Sequence, residues 1–293
     1  MKRRIKTMDV AIYLIIGVFS LICLYPFLMV IGGSLSTQKE IYEHGYRIFP
    51  SEVTLGSYKA LLMNYKSILN GYTITVIVTI SGTLLALGVN AMMAYVLSSK
   101  QIKYSRFLNV FTLITIMFNG GMVPWYIVCV NYLHLKDTLW ALILPMVANG
   151  WNIFLMRNFF SAIPYEMYEA ARIDGARAFK IFRTIYLPLS KPVLATVGLF
   201  TSLAYWNDWW HGMMLVDKAE LQPLQLLLRN IISNVQFLKT MNPSPEMQSL
   251  VGSLPSEGIR MAMVIITIGP IILVYPFLQK YFVKGIMVGA VKG

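Results

Sequence analysis

The residues of this chain that could do chemistry are few: amides, aromatics and one carboxylate set in apolar surroundings. Asn149 and Asn152 stand three apart with Pro145 one turn earlier, so a helix through them puts all three on one face. Asn119 precedes Gly120 and Gly121, where a backbone can bend or be approached closely, and Asn90 lies in another apolar run. Trp206, Asn207, Asp208, Trp209 and Trp210 gather indoles, an amide and a carboxylate in one stretch. Polar side chains inside apolar spans are costly unless they face a bundle interior or a wet cavity, so these are candidates for lining a ligand path. Two structural readings stand beside that one. Interhelical hydrogen bonding accounts for Asn149 and Asn152, and an interfacial aromatic belt with a polar end accounts for Trp206–Trp210.

Catalytic and metal-binding patterns are missing. The sequence has no G-x-x-x-x-G-K-[ST] loop and no H-E-x-x-H, and His44, His134 and His211 are scattered. Cys23 and Cys129 lie in apolar stretches with no ligand spacing, and read as free thiols acting as small hydrophobes. No nucleophile, base and orienter share a spacing. The chain therefore reads as no enzyme, with no cofactor or metal of its own.

Composition says where these groups must sit. Hydrophobic residues make up 57% of the 293 and charged residues 13%, against roughly 25% charge in a soluble domain. A water-soluble protein this apolar would aggregate, so the lipid bilayer is its solvent. A spanning helix needs about 20 mostly apolar residues. Six runs qualify, at about 10–31, 70–98, 107–130, 138–156, 192–216 and 261–279, giving an all-α membrane protein of one transmembrane domain, 1–293. The start MKRRIK followed by an apolar run imitates a secretory signal, but that run is too long for one and no A-x-A site follows, so it reads as a retained span.

An N-terminus in the cytoplasm, with six spans, puts the C-terminus there too. It also places Lys2, Arg3, Arg4, Lys6, Lys100, Lys103, Arg106, Arg157, Arg172, Arg177, Lys180, Arg183, Lys191, Lys280, Lys284 and Lys292 on that side, against Asp9, Glu166, Glu169 and Asp174. The net surplus of +12 then falls wholly on the cytoplasmic face, as the positive-inside rule requires. Charge orients the protein, and nucleic acid is not needed as a partner. Outer segments fall at about 34–67 and 217–258; the stretch LQPLQLLLRNIISNVQFL in the second has the spacing of an amphipathic helix, followed by turn signals at Asn242–Pro245 and Pro255–Gly258. Pro26, Pro145, Pro270 and Pro276 can each kink a span.

The cytoplasmic loop 157–191 carries the most pattern. Ser161 can cap a helix with Pro164 in its first turn, Glu166 and Glu169 suit that helix's dipole, and Gly175 can end it in the left-handed conformation. A second helix, ARAFKIFRTIYL, is expected to stop before Pro188. Met167, Ala170, Ala171 and Asp174 share a side of the first helix, where small alanines let another surface approach. A helical hairpin packed only on its own protein would show the same spacing.

Glu169-Ala170-Ala171, three residues, Gly175, nine residues, Ile185, one residue, Leu187-Pro188 resembles the EAA signature of ABC importer permeases, and every position of EAA-x3-G-x9-I-x-LP is met. Gly120-Gly121-Met122-Val123-Pro124, Asp137-Thr138-Leu139-Trp140-Ala141, Ala204-Tyr205-Trp206-Asn207-Asp208 and the tail Phe282-Val283-Lys284-Gly285 resemble the carbohydrate-uptake branch, relatives of the smaller member of the maltose permease pair. The nearest subgroup resembles permeases for oligosaccharides released from polysaccharides, including acidic ones such as alginate or pectin fragments. The resemblance, running from about residue 10 to the end, implies a type I ABC importer permease fold in a bacterial inner membrane. It implies coupling helices seated on an ATPase through Tyr165, Met167, Tyr168, Glu169, Ala170, Ala171, Asp174, Gly175, Phe179, Ile185, Leu187 and Pro188. It further implies a second, homologous permease, two ATPase subunits that bind ATP and Mg, and an extracellular or periplasmic solute-binding protein that delivers a carbohydrate.

A sugar site needs amides or carboxylates beside aromatic planes, and the Trp206–Trp210 stretch has that chemistry. An Asp208 that contacted substrate would repel an acidic sugar, unless it anchors local structure instead. Two rivals remain: a secondary transporter driven by an ion gradient, for which Asp208 is the one ionisable candidate, and a membrane-embedded enzyme, for which no constellation exists.

Overall fold

In the computed structural model of the chain, the described residues are 7–63, 65–99, 101–240 and 257–269. The sixth run beyond residue 269, the tail 282–285, Pro270, Pro276, the turn residues 242–245, and the basic residues at 2–6, 100 and 280–292 lie outside them. The described chain is helical, with no β-strand and one isolated bridge, Ser36 to Val53.

Contacts divide the chain into two units, residues 1–66 with 228–271 and residues 67–227 with 272–293. The first unit holds the apolar helix Thr7–Ser34, which continues through Pro26, and a folded segment after it. Thr37 caps the helix Gln38–His44, its hydroxyl accepting from the Glu40 N–H at 3.3 Å. The buried Glu40 carboxylate accepts from the N–H groups of Ser51 (2.6 Å) and Glu52 (3.3 Å), so one side chain folds the following loop back. Those backbone bonds, Ser51 first, hold the Glu40 carboxyl below its ordinary pKa. Glu257, at the start of a helix over 257–269, accepts from Tyr46 Oη at 3.1 Å and pairs with Arg260 at 3.2 Å.

The second unit is organised around the helix Tyr65–Ser98, whose 34 residues at 1.5 Å each make a rod of about 50 Å, longer than the ~30 Å hydrocarbon layer. Along one side Gly71, Ile74, Thr75, Val78, Gly82, Ala86, Asn90, Ala91, Ala94 and Leu97 are buried, a stripe of small residues that admits close neighbours. Val10–Ser34 and Tyr65–Ser98 are each long and apolar enough to cross a membrane unbroken. The other runs expected as continuous spans are interrupted, each for a local reason.

The run 107–130 is two helices, Ser105–Met117 and Met122–Tyr132, bent by 113°. Gly121 sits at φ +86° and its N–H donates to Asn119 Oδ1 at 2.8 Å, so an amide-closed turn replaces helix at the glycines. The run 138–156 is helical over Trp140–Met146 and again over Gly150–Ser161; Pro145 lacks the N–H that would continue the ladder, and Asn149 is extended at φ −121°. The run 192–216 breaks between Trp206 and Trp210, where Asn207 ends one helix and Asp208 starts the next. The expected amphipathic segment forms the helix Leu224–Thr240.

Tyr205, 2% exposed, lies flat on the rod at Gly82, and its Oη donates to the Ile143 carbonyl at 2.8 Å. A Cβ at Gly82 would stand 2.6 Å from the Tyr205 ring. Gly82→Leu is therefore expected to cost at least about 1–3 kcal/mol through overpacking. Gly88→Leu on the same rod, where a Cβ meets nothing within 4 Å, should melt within about 0.5 kcal/mol of wild type. Thermal melts of the two purified variants check this; equal losses would contradict the packing.

Candidate functional site

Two regions of the second unit carry the candidate residues. At one end of the rod lies the segment 162–190. Pro164 occupies the capping position of the helix Tyr165–Ile173 without a side-chain cap, and Ser161 is instead the last residue of the preceding helix, Gly150–Ser161. The expected serine cap is thus replaced by a proline that presets the chain's entry angle.

Gly175 does what its position suggests. It sits at φ +78°, the Ala176 N–H donates to the Ala171 carbonyl (2.9 Å), and the Gly175 N–H donates to Arg172 (3.0 Å), the paired bonds of a Schellman turn. A Cβ on Gly175 would meet nothing within 4 Å, so the demand for glycine is conformational and not steric.

The second helix does not stop before Pro188. It runs from Ala178 through a π-turn, Phe182–Tyr186, and on to Leu189. The wider turn lets the Leu187 N–H reach back to the Phe182 carbonyl and accommodates a proline that has no N–H of its own. The chain then bends by 83° at Ser190 into the helix Lys191–Trp206.

This helix–turn–helix has two faces. Tyr168, Ile181, Phe182 and Tyr186 are buried against Ala91, Ala94 and Leu97 of the rod and against Ile153, Met156 and Phe160. The Tyr95 ring lies 4.8 Å from Tyr186 and 5.2 Å from Phe182, and its hydroxyl donates to the Ala178 carbonyl at 3.2 Å. Tyr168 Oη donates to Gln101 Oε1 (2.7 Å) while Gln101 Nε2 donates to Tyr165 Oη (2.9 Å), so one amide ties both tyrosines to the turn after the rod. Ile185, Leu187 and Ala171 are half-buried behind them. The opposite face shows Met167, Glu169, Ala170, Ile173, Asp174, Phe179 and Pro188 exposed, with Ile173 at 86% and Phe179 at 66%. The reading as a hairpin packed on its own protein holds for one face, and the other is left open.

The second region contains the polar residues of the broken helices. Asn90, wholly buried on the rod, donates from Nδ2 to Val147 O (2.9 Å) and to Ala86 O (2.7 Å), and its Oδ1 accepts from the Asn149 N–H at 3.0 Å. Its amide supplies the partners that the break at 147–149 would otherwise lack. Asn149 caps Gly150–Ser161, accepting from the Asn152 N–H at 3.1 Å, and Asn152 Nδ2 donates to Thr201 Oγ1 at 3.4 Å. Asn149 is exposed and Asn152 half-buried, so of the three Asn149 presents most to a ligand. Asn119 bonds within its own turn.

The Trp206–Trp210 stretch separates. Trp206 tilts against Tyr72 at 6.5 Å, and Asn207 Nδ2 donates to Leu203 O while its Oδ1 accepts from Gln225. Asp208 Oδ1 accepts from the N–H groups of Trp210 and His211 at 3.2 and 3.3 Å, and the His211 ring nitrogen lies 3.0 Å from both carboxylate oxygens. Trp210 packs on Trp125 at 4.6 Å. Trp125 was not singled out in the sequence, and His211 was read only as one of three scattered histidines, though it stands three residues from Asp208. Asp208 is thus held by its own helix start.

Outside the membrane-spanning helices, Asp137, at φ +57°, accepts at Oδ1 from the N–H groups of Asp217 (2.7 Å) and Lys218 (3.0 Å), stapling two loops. Those bonds, Lys218 first, hold its carboxyl below the ordinary value. A lowered native pKa means the staple contributes fully above the ordinary carboxylate value of ~4 and is lost as pH falls through the native one. Asp137→Asn keeps the acceptor, so its melting temperature should change less than that of wild type between about pH 6 and about pH 3. Identical pH profiles would remove Asp137 from the account.

The family described as binding-protein-dependent transport system inner membrane component matches residues 2–288. Protein LplC of Bacillus subtilis (strain 168) is 38% identical over 288 residues, covering 98% of this chain and 96% of its own. The polygalacturonan/rhamnogalacturonan transport system permease protein YtcP of the same organism is 37% identical, with full coverage of both chains. Among solved structures, a bacterial ABC transporter involved in the import of the acidic polysaccharide alginate superposes with a TM-score of 0.80 at 30% identity, covering 96% of this chain and 99% of that one. With a signature loop in place, a helical fold shared with an ABC transporter and a match over nearly its whole length, this chain is a multi-pass membrane protein of the binding-protein-dependent transport system inner membrane component family.

Proposed function

We propose that the chain is one permease subunit of an ATP-driven importer of oligosaccharides. It crosses a bacterial inner membrane six times with both termini in the cytoplasm, and pairs with a second, homologous permease. Two separate ATPase subunits bind ATP and Mg, and a solute-binding protein delivers the sugar from outside. The observation that carries this is the open face of Tyr165–Pro188: apolar and small side chains stay exposed on a turn whose other face is locked to the rod. Such a surface suits docking of a protein partner. The family match favours this over an ion-driven transporter, as does Asp208, whose carboxylate is engaged by its own helix.

In this reading Met167, Glu169, Ala170, Asp174, Gly175, Phe179 and Pro188 meet the ATPase, while Tyr165, Tyr168, Ala171, Ile185 and Leu187 hold that face in place. Asn149, Asn152 and Trp210 are the path residues best placed to meet sugar. The substrate is proposed to be a fragment of an acidic polysaccharide, supported by relatives named for polygalacturonan, rhamnogalacturonan and alginate. The expected repulsion by Asp208 loses force, because its charge is spent on two N–H groups and His211.

Gentle detergent extraction of tagged chain, with mass spectrometry of what stays bound, tests the assignment. Wild type should retain an ATPase and a second permease, and the variant carrying Glu169→Gln and Gly175→Val should lose the ATPase alone. Recovery of the chain only with itself would overturn it.

A further inference from the structure

The three helices that meet at the Leu97 end of the rod carry no negative charge. From residue 53 to 136, and again from 138 to 165, the sequence has no Asp or Glu, which covers the rod, Ser105–Met117 and Gly150–Ser161. Lys103, Arg106 and Arg157 form no ion pair among the described residues. Glu166 comes near Ser98 and Ser99 but pairs with none of the three. Arg157 is half-buried and held in place: its Nε donates to the Leu97 carbonyl at 3.4 Å, and its guanidinium lies 5.6 Å from the centre of the Phe154 ring. The same carbonyl accepts from Ser105 Oγ at 3.3 Å and from Asn109 Nδ2 at 3.2 Å. A carbonyl oxygen has two lone pairs, so three donors converge where two would satisfy it. Positive charge and hydrogen-bond donors are both in surplus here.

An open groove of about 190 Å³ adjoins this cluster, lined by Met92, Met93, Val96 and Leu97 of the rod and Leu108 of the neighbouring helix. All five are apolar. Leu97 joins the two features, its side chain lining the groove and its carbonyl taking the donors. Tyr104 and Phe107, 65% and 67% exposed, flank Ser105 and Arg106 as aromatic residues do at a membrane–water boundary. An apolar slot beside cations without a counter-charge complements a molecule that joins a hydrocarbon chain to an anionic head. We infer that the groove and its cations hold one anionic phospholipid, its acyl chain along Met92, Met93, Val96 and Leu108 and its phosphate at Arg157. Lys103 and Arg106, both exposed, add positive charge on long side chains that can reach the headgroup level. Free phosphate would satisfy the cations and leave the groove unfilled. Such a site needs only that the chain lies in a bilayer, not that it is an importer.

Native mass spectrometry of the full chain, with whatever partners copurify, tests this after exchange into equal amounts of phosphatidylglycerol and phosphatidylcholine. Wild type should retain one phosphatidylglycerol in preference to phosphatidylcholine by at least about tenfold, and excess inorganic phosphate should not displace it. Arg106→Gln with Arg157→Gln should lower that preference by about fivefold for each charge removed. Lys59→Gln with Lys66→Gln, which removes the same charge from exposed positions elsewhere, should leave it unchanged. Leu108→Trp and Met93→Trp fill the groove from two different helices and keep every cation, so each should lose the lipid. No preference in wild type, full retention in the double arginine variant, or displacement by phosphate would overturn the site. Protein in place of lipid cross-linked through a photoreactive side chain at position 108 would overturn it as well.

Discussion

Gly175→Val is expected to leave the protein in the membrane in normal amount while weakening ATPase attachment by about ten- to a hundredfold. The left-handed conformation at Gly175 costs an ordinary L-residue roughly 1–2 kcal/mol, and a β-branched one more. If valine instead drives the residue out of that region, the bonds from Ala176 to Ala171 and from Gly175 to Arg172 go with it, at about 0.5–1.5 kcal/mol each. Either route disturbs the angle between Tyr165–Ile173 and Ala178–Leu189, and with it the open face bearing Ala170, Ile173 and Phe179. The buried side, anchored by Tyr168, Ile181 and Phe182, should still fold. Gly175→Asn separates shape from bulk. Asparagine tolerates positive φ, and a Cβ there meets nothing within 4 Å, so this variant should bind the ATPase within a few-fold of wild type. Quantitative pull-down of the three proteins decides it. If the valine variant holds the ATPase as well as wild type, the turn is not a coupling element.

That prediction could be framed from the sequence because the information is local. A glycine at the end of a helix and a signature at fixed spacing need no knowledge of distant neighbours. The unbroken helices over the runs 10–31 and 70–98 were legible for the same reason, since twenty apolar residues in lipid must satisfy their own backbone. The break at 207–209 was not, and at 118–121 and 147–149 the glycines and Pro145 marked places that can bend without saying that the helix stops there. Hydropathy is blind to them because the same residues would be apolar enough in a straight helix. What permits a break is a partner for the freed backbone: Asn90, from another helix, for 147–149, and Asp208, from within the break itself, for the helix that follows 207–209. The Asn119 turn likewise carries its partner two residues from the glycine it serves. In the same way Asn90, Asn152 and Asp208 stood out as polar groups in apolar runs, but spacing could not tell a ligand contact from a backbone partner.

Asn90 gives the sharpest test of that distinction, because the two roles predict different losses. As a backbone partner, it satisfies Val147 C=O and Asn149 N–H at a break within the bundle, and it is wholly buried. Asn90→Ala leaves both groups unmet, at about 1–3 kcal/mol each, so the expected destabilisation is on the order of 2–6 kcal/mol. That is at the upper end of what single substitutions do. Asn90→Asp retains an acceptor for the Asn149 N–H but turns a negative oxygen toward the Val147 carbonyl, so it should recover little. Asn149→Ala, which deletes an exposed cap and leaves the backbone N–H in place, should cost only about 1 kcal/mol in stability. A sugar contact would show the reverse order: near-normal melting for Asn90→Ala with selective loss of transport. Melting temperature and sugar uptake measured side by side for Asn90→Ala and Asn149→Ala therefore assign each amide. A stable Asn90→Ala protein that fails to import would return Asn90 to the substrate path and leave the break at 147–149 without its partner.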